Sequence, residues 1–233
     1  LADNYIVTDG PPQGWEAEVE YLNTLAPRTG RLSLSFSPEG PAGRMFYTSA
    51  NARKIQAIRE KIEEYTLDQD MYRFLLCSLL ESADAFANTT GVYGAFLKKF
   101  NSRSTAEFRL QGFTAPPGTG VSLQGDATKV VGALQGDVLY LDPPYNARQY
   151  SSNYHILNCI VNFNDFQIKS VTKGDITQES KSGLTTELHA SEFSMKRTGR
   201  AYGALEELIE NATGFETIFM SYNNEGILSF EEI

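Results

Sequence analysis

The sequence predicts an α/β fold with a largely parallel sheet in its second half and an inserted helical lobe ahead of it. Three observations carry this. Val138 to Leu141 is an apolar run that reads as a short buried strand. A helix over Thr128 to Leu134 precedes it, and a helix over Arg200 to Asn211 and a strand over Thr217 to Tyr222 follow, a β-α-β-loop-α-β order. Two consecutive helices upstream, with no strand between them, break the α/β alternation and mark a lobe.

Taken in order, Leu1 to Gly14 show no clear element, and a start on Leu rather than Met is expected of a truncated or trimmed chain. Glu16 to Leu25 fits a short helix. Ser33 to Pro38 reads as a short strand or loop leading into Gly40, Pro41 and Gly43. Ser49 to Tyr65 is a helix, since Ile55, Ile58, Ile62 and Tyr65 recur at three- and four-residue spacing and Thr48 or Ser49 can cap its start. Asp68 to Phe86 is a second helix, with Met71, Phe74, Leu75, Leu79 and Phe86 as core candidates. Asn88 to Phe100 mixes aromatics, Gly and Lys, and Tyr93, Phe96 and Phe100 suit core anchors better than base stackers. Ala115 to Gly120 is a Pro- and Gly-rich loop and a boundary. Val121 to Leu123 reads as a strand ending near Gly125-Asp126-Ala127. Asp165 to Ser191, rich in Thr, Ser and Lys, reads as a mobile loop.

A chain of 233 residues that is 41% hydrophobic and 12% aromatic can bury a sizeable core. No apolar run approaches the length of a membrane span, and no signal-peptide pattern opens the chain, so a cytoplasmic protein without a membrane partner is expected. Cys77 and Cys159 lie in apolar surroundings and suit reduced core residues. His155 and His189 lack Cys or carboxylate partners at ligand spacing, so no metal site is expected. The net charge of −9, from 20 Lys and Arg against 29 Asp and Glu, counts against a general nucleic-acid binder. Local charge decides binding, however, and Lys98, Lys99 and Arg103 form one basic cluster, with Lys196, Arg197 and Arg200 forming another. A solvated surface accounts for each cluster equally well.

The strand at Val138 to Leu141 ends in Asp142-Pro143-Pro144-Tyr145. Two prolines cannot continue a sheet ladder, because they lack the N–H and fix φ. The chain leaves the sheet as a stiff elbow that presents a carboxylate, backbone carbonyls and an aromatic ring at a carboxyl edge, where open α/β sheets bind ligands. Those groups can grip a planar base that carries an exocyclic amine. The elbow resembles motif IV of the amino-methyltransferases that use S-adenosylmethionine. The blocks Asn146 to Tyr150, Asn153 to Asn158 and Ser221 to Gly226 narrow the resemblance to Dam-like adenine-N6 DNA methyltransferases of restriction–modification systems. Ser37 to Gly40, Arg44 to Thr48, Ala87 to Thr89 and Val92 to Lys99 are similar to the same family, so the likeness spans roughly residues 20–233.

The resemblance implies a Rossmann-like methyltransferase sheet with an inserted helical recognition lobe. The expected division is 1–21 as the remnant of an N-terminal catalytic part, 22–115 as the target-recognition lobe and 116–233 as the catalytic core. Adenine N6 is a poor nucleophile, because its lone pair is delocalised into the ring. Hydrogen bonds from its two hydrogens to the Asp142 side chain and the Pro143 carbonyl would pull it towards tetrahedral geometry. Pro144 stiffens the elbow, and Tyr145 would stack on a base flipped out of the duplex, a contact of about 1–3 kcal/mol. By the same resemblance, Asp126 and Ala127 hold the adenine ring of S-adenosylmethionine and Asp142 also faces the cofactor; Asp126 equally suits an N-cap, and both roles can hold together. Arg148, Tyr154, His155, Asn158, Lys98 and Lys99 are the implied contacts to the nucleotide or its phosphates. For His155 a structural hydrogen bond is the stronger reading than a general base. Asn223 and Asn224 suit either a polar role near the pocket or a turn.

The family's Phe-x-Gly-x-Gly turn, and the acidic residue that follows it, do not occur in the sequence. In this subgroup's order they would precede residue 1, so a member without its N-terminal cofactor motif is expected. The implied partners are double-stranded DNA and a cognate restriction endonuclease. Two alternatives stand beside this reading: an RNA base amino-methyltransferase, and a non-catalytic DNA-binding remnant.

Overall fold

The computed structural model describes residues 10–114, 120–173, 175–186, 190–195 and 199–233. His189, Lys196, Arg197 and the loop residues 115–119 lie outside them, as do residues 1–9. The chain divides into two units: residues 1–122 with 153–187, and residues 123–152 with 188–233.

The first unit is built mainly of helices: α1 (Trp15–Thr24), α2 (Arg31–Phe36), α3 (Ser49–Ile62), α4 (Gln69–Ala85), α5 (Ser102–Thr105) and α7 (His155–Val161). Helix α3 starts where Thr48 Oγ1 accepts the Asn51 N–H, and α4 where Asp68 accepts the Met71 N–H at 3.1 Å. Their apolar stripes meet in one core that contains Ile55, Ile58, Phe74, Leu75, Tyr93 and Phe108, joined by Ile156 and Ile160 of α7. Buried polar side chains stitch the loops to this core. Asn51 donates to the carbonyls of Ser104 and Ala106 and accepts from Phe108 N–H. Arg59 donates to the Ile160 and Val161 carbonyls, closing the end of α7.

Two expectations for this unit are corrected. Residues 33–38 do not form a strand or loop as a whole, because Arg31 to Phe36 are helical. Leu32 and Phe36 bury one face, and Gln56 Oε1 accepts the Leu32 and Ser33 N–H groups at the helix start. The stretch 165–191 is not simply a loop. It carries a hairpin of β2 (Ser170–Lys173) and β3 (Ile176–Glu179), antiparallel with Thr172 opposite Thr177. Every strand residue is exposed, and such a pair is marginal by itself. Its base is held by buried Arg44, which donates to the Ser35, Ser180 and Lys181 carbonyls and pairs with Glu179.

The second unit holds α6 (Ala127–Val130), β1 (Gly136–Leu141), α8 (Arg200–Asn211) and β4 (Phe215–Met220). Strands β1 and β4 pair in parallel, with Leu141 opposite Met220. Ala201, Leu205 and Leu208 of α8 pack with Val131 and Leu141 in a separate small core. This is a mixed α/β architecture with a small parallel sheet. Val121 to Leu123 do not form the expected strand; Val121 and Leu123 are exposed. The expected helix over 128–134 is a single turn followed by a 3₁₀ turn at Val131–Ala133. Strand β1 is not buried throughout: Leu139 and Leu141 turn inwards, while Val138 and Tyr140 are 53% and 65% exposed. Cys77 and Cys159 are both buried and form no disulfide. Among the described residues no helix is long and apolar enough to cross a membrane, and no group of three or more His, Cys, Asp or Glu side chains could hold a metal ion.

Candidate active site

The β1–β4 ladder ends where the chemistry of the chain dictates. Ser221 N–H donates to the Leu141 carbonyl at 2.8 Å, and beyond it Pro143 and Pro144 have no N–H to offer. The elbow therefore departs at Asp142, which is exposed. Its far end is fastened to the segment after β4. Ile227 N–H donates to the Tyr145 carbonyl at 2.8 Å, and the Tyr222 ring meets the Tyr145 ring edge-to-face, centroids 6.4 Å apart at 77°.

Asp126 stands at the start of α6. Its Oδ1 accepts the Thr128 N–H at 3.1 Å and the Thr128 hydroxyl at 2.9 Å, so the N-cap role is occupied. Asp126 and Ala127 line the same cleft as Asp142, Pro143 and Pro144. The cleft measures about 980 Å³, at the upper end of the range of small-molecule sites. Its far wall is the stretch Ala190 to Phe193, together with Glu207 and Leu208 of α8. The lining carries the carboxylates of Asp126, Asp142, Glu192 and Glu207 and the ammonium of Lys129, with Glu192 also paired to Arg200 at 3.5 Å. Such an acidic lining favours a cationic ligand and amine hydrogen-bond donors.

Gln149 holds that wall in place. Its Oε1 accepts the Ser191 N–H at 2.6 Å and its Nε2 donates to the Ser191 carbonyl at 3.1 Å. Ser194 Oγ adds a bond to the Arg148 carbonyl at 3.1 Å. Arg148 is exposed, its N–H held by Asn146 Oδ1, and among the described residues its guanidinium has no ion pair. Asn223 takes the turn role: its Oδ1 accepts Glu225 N–H and its carbonyl accepts Gly226 N–H.

Lys98, Lys99, Tyr154 and His155 lie in the first unit. Lys98 and Lys99 are exposed on a loop that Asn88 pins, donating to the Met45 and Leu97 carbonyls. Tyr93 N–H donates to the Asn153 carbonyl at 2.7 Å, which sets this loop against the turn before α7. Tyr154 is exposed in that turn. His155 is fully buried, its Nε2 at 2.8 Å from the Ser182 carbonyl and its ring edge-to-face with Phe46. Burial and that bond are those of a structural hydrogen-bonder. Sequence reasoning missed Glu192 and Glu207 of the lining, and gave Gln149 and Tyr222 no role of their own. Helical spacing from Ala204 could have placed Glu207 beside the α8 core face; nothing in the polar run before Glu192 could have placed it.

A family model for D12 class N6 adenine-specific DNA methyltransferases matches residues 25–223. The chain is 38% identical over 221 residues to the type II methyltransferase M.NlaIII of Neisseria lactamica, covering 92% of this chain and 62% of that protein. It is 36% identical over 208 residues to the type II methyltransferase M.CviAII of Paramecium bursaria Chlorella virus 1, covering 86% and 57%. It is 35% identical over 229 residues to the modification methylase StsI of Streptococcus sanguinis, covering 94% and 33%. The chain thus spans from a third to under two thirds of the length of these curated relatives. No solved structure matches the chain.

Proposed function

Because the chain belongs to the D12 class N6 adenine-specific DNA methyltransferases, we propose that it takes part in moving a methyl group from S-adenosylmethionine to adenine N6 in duplex DNA. The carrying observation is that Asp126 and Ala127 line one cleft with Asp142, Pro143 and Pro144. Donor and acceptor sites of a direct transfer must share one space, and a common cleft for these five residues supports that reading.

The cleft suits the cofactor's chemistry. S-adenosylmethionine, when bound, supplies an electrophilic methyl on a cationic sulfonium, and the acidic lining suits that charge. Asp126 and Ala127 would hold its adenine ring, Asp126 through the oxygen not engaged by Thr128. Asp142 and the Pro143 carbonyl accept the two N–H bonds of the target amine, and Asp142 takes the proton as the amine becomes acidic. Pro144 keeps the elbow from relaxing, and Tyr145 stacks on the flipped base. Arg148, unpaired among the described residues, suits a phosphate. Lys98, Lys99 and Tyr154, all exposed, suit further contacts to DNA. His155 contributes by holding the Ser182 carbonyl.

The two paired strands fit one portion of a Rossmann-like sheet. Parallel sheets are covered on both faces, and Val138, Tyr140 and Phe219 leave one face open. The helices of the first unit fit a recognition lobe. The type II and modification names of the relatives support a restriction–modification role; a cognate endonuclease and a cytoplasmic location belong to the same proposal. The test is transfer from labelled S-adenosylmethionine to mixed-sequence duplex DNA by a version of the chain extended upstream, with an RNA competitor and nucleoside analysis. Label in N6-methyladenine of DNA is expected. Label in RNA alone, or none in either, would overturn the proposal.

A further inference from the structure

Resting on the reading that Tyr145 stacks on the target base, we propose that Tyr222 is a positioning residue which fixes the plane of the Tyr145 ring. Tyr145 projects from an elbow whose residues 142–148 form no helix or strand. A ring in that place turns freely about its side-chain bonds unless a neighbour restrains it, and a stacking platform is useful only at one tilt. The neighbour is Tyr222, edge-to-face at 6.4 Å. An edge-to-face pair resists rotation of either ring, because the positive edge follows the negative face.

Tyr222 is itself held. It stands two residues past the end of β4, and its hydroxyl accepts the Leu228 N–H at 3.2 Å. One residue earlier in the same segment, Ile227 N–H donates to the Tyr145 carbonyl. The segment from Tyr222 to Leu228 thus grips Tyr145 twice, by backbone and by ring. Gly226 closes the arrangement: a Cβ there would press into Tyr222 Cε1 and lie 2.8 Å from the Asn223 carbonyl. Only glycine lets the turn pass behind the ring. The motif Ser221 to Gly226 thereby acquires a physical reason that is separate from any contact to substrate.

The experiment compares Tyr222→Leu, Tyr222→Phe, Gly226→Ala and Tyr145→Leu in steady-state methyl transfer. It also follows emission of 2-aminopurine placed at the target position of a duplex site. Tyr222→Leu is expected to lower kcat about three- to tenfold, with the KM for S-adenosylmethionine unchanged. Its flipped-base emission should shift in the direction seen for Tyr145→Leu, by a smaller amount. Tyr222→Phe keeps the ring and should stay within about threefold. Gly226→Ala displaces the ring without removing it and should reproduce the Tyr222→Leu loss, so the inference is tested even where Tyr222→Leu fails to fold. Unchanged kcat and emission in Tyr222→Leu and Gly226→Ala, with Tyr145→Leu impaired, would overturn the positioning role alone. No effect of Tyr145→Leu would overturn the stacking reading and this role together. An equal loss in Tyr222→Phe and Tyr222→Leu would overturn the ring contact as the cause.

Discussion

Replacing Arg44 by Ala should release the β2–β3 hairpin and cost the first unit a large part of its stability. The guanidinium is fully buried. It donates to Ser35 and Ser180 carbonyls, both at 2.7 Å, to the Lys181 carbonyl at 3.3 Å, and to Glu179 at 3.0 Å. The four bonds are not equal. Glu179 is 47% exposed in its side chain, so water screens that pair and it contributes under about 1 kcal/mol. The carbonyl bonds matter more, since each charge-assisted bond is worth about 1.5–3 kcal/mol and a bare buried carbonyl pays its desolvation. They do not simply add, because Ser180 and Lys181 can regain water when the hairpin base swings out. A net loss of about 3–5 kcal/mol follows from the three carbonyl bonds after that regained hydration is discounted. With a urea slope of about 2 kcal/mol/M, the midpoint should fall by about 2 M. Trp15, the sole tryptophan, packs against Phe74 in this unit's core, and its fluorescence reports the transition. Glu179→Gln serves as the control and should move the midpoint by less than about 0.5 M. A Glu179→Gln shift as large as that of Arg44→Ala would refute the reasoning, since the ion pair rather than the carbonyl bonds would then hold the hairpin.

Three more expectations follow from the same geometry. Asp142→Ala removes an exposed acceptor, so transfer should fall about a hundred- to a thousandfold while stability stays within about 0.5 kcal/mol; a folded variant with full activity would remove Asp142 from the chemistry. Gln149→Ala frees Ser191 and the cleft wall, and should raise the KM for S-adenosylmethionine about tenfold with little change in kcat; a loss confined to kcat would contradict a wall-holding role. Burial pushes the Cys159 thiol up to about 12, with Arg31 and Arg44 pulling weakly the other way. The unfolded thiol ionises near pH 8.5, so this contribution to stability is complete below that value and is lost as pH rises towards 12. Denaturation at pH 8 and at pH 10 should show the decline, and Cys159→Ser should flatten it. Equal slopes in both proteins would place the effect elsewhere.

Some of this site was written locally. Pro143 and Pro144 end a strand wherever they stand, so the elbow at Asp142 and the strand before it were legible in a few residues. The helices at 49–62, 69–85 and 200–211 announced themselves by apolar spacing, and Thr48 and Asp68 cap the first two as their chemistry suggests. Asp126 was legible as a cap for the same reason.

Other features depended on partners far away in the chain. Helix α2 starts on Gly30, which has no side chain to cap it; Gln56, more than twenty residues on, accepts the Leu32 and Ser33 N–H groups instead. The hairpin at 170–179 has a polar sequence that reads as loop, and it stands because Arg44 reaches it across more than 130 residues. The burial of His155 and the wall formed by Ser191 and Glu192 rest on contacts that span 27 and 42 residues. The sequence by itself determined where strands break and which helices are amphipathic, because those follow from backbone chemistry and short-range periodicity. Only the tertiary structure decided which carboxylates share the cleft and which ring restrains Tyr145, because those are matters of distance between segments that no local pattern encodes.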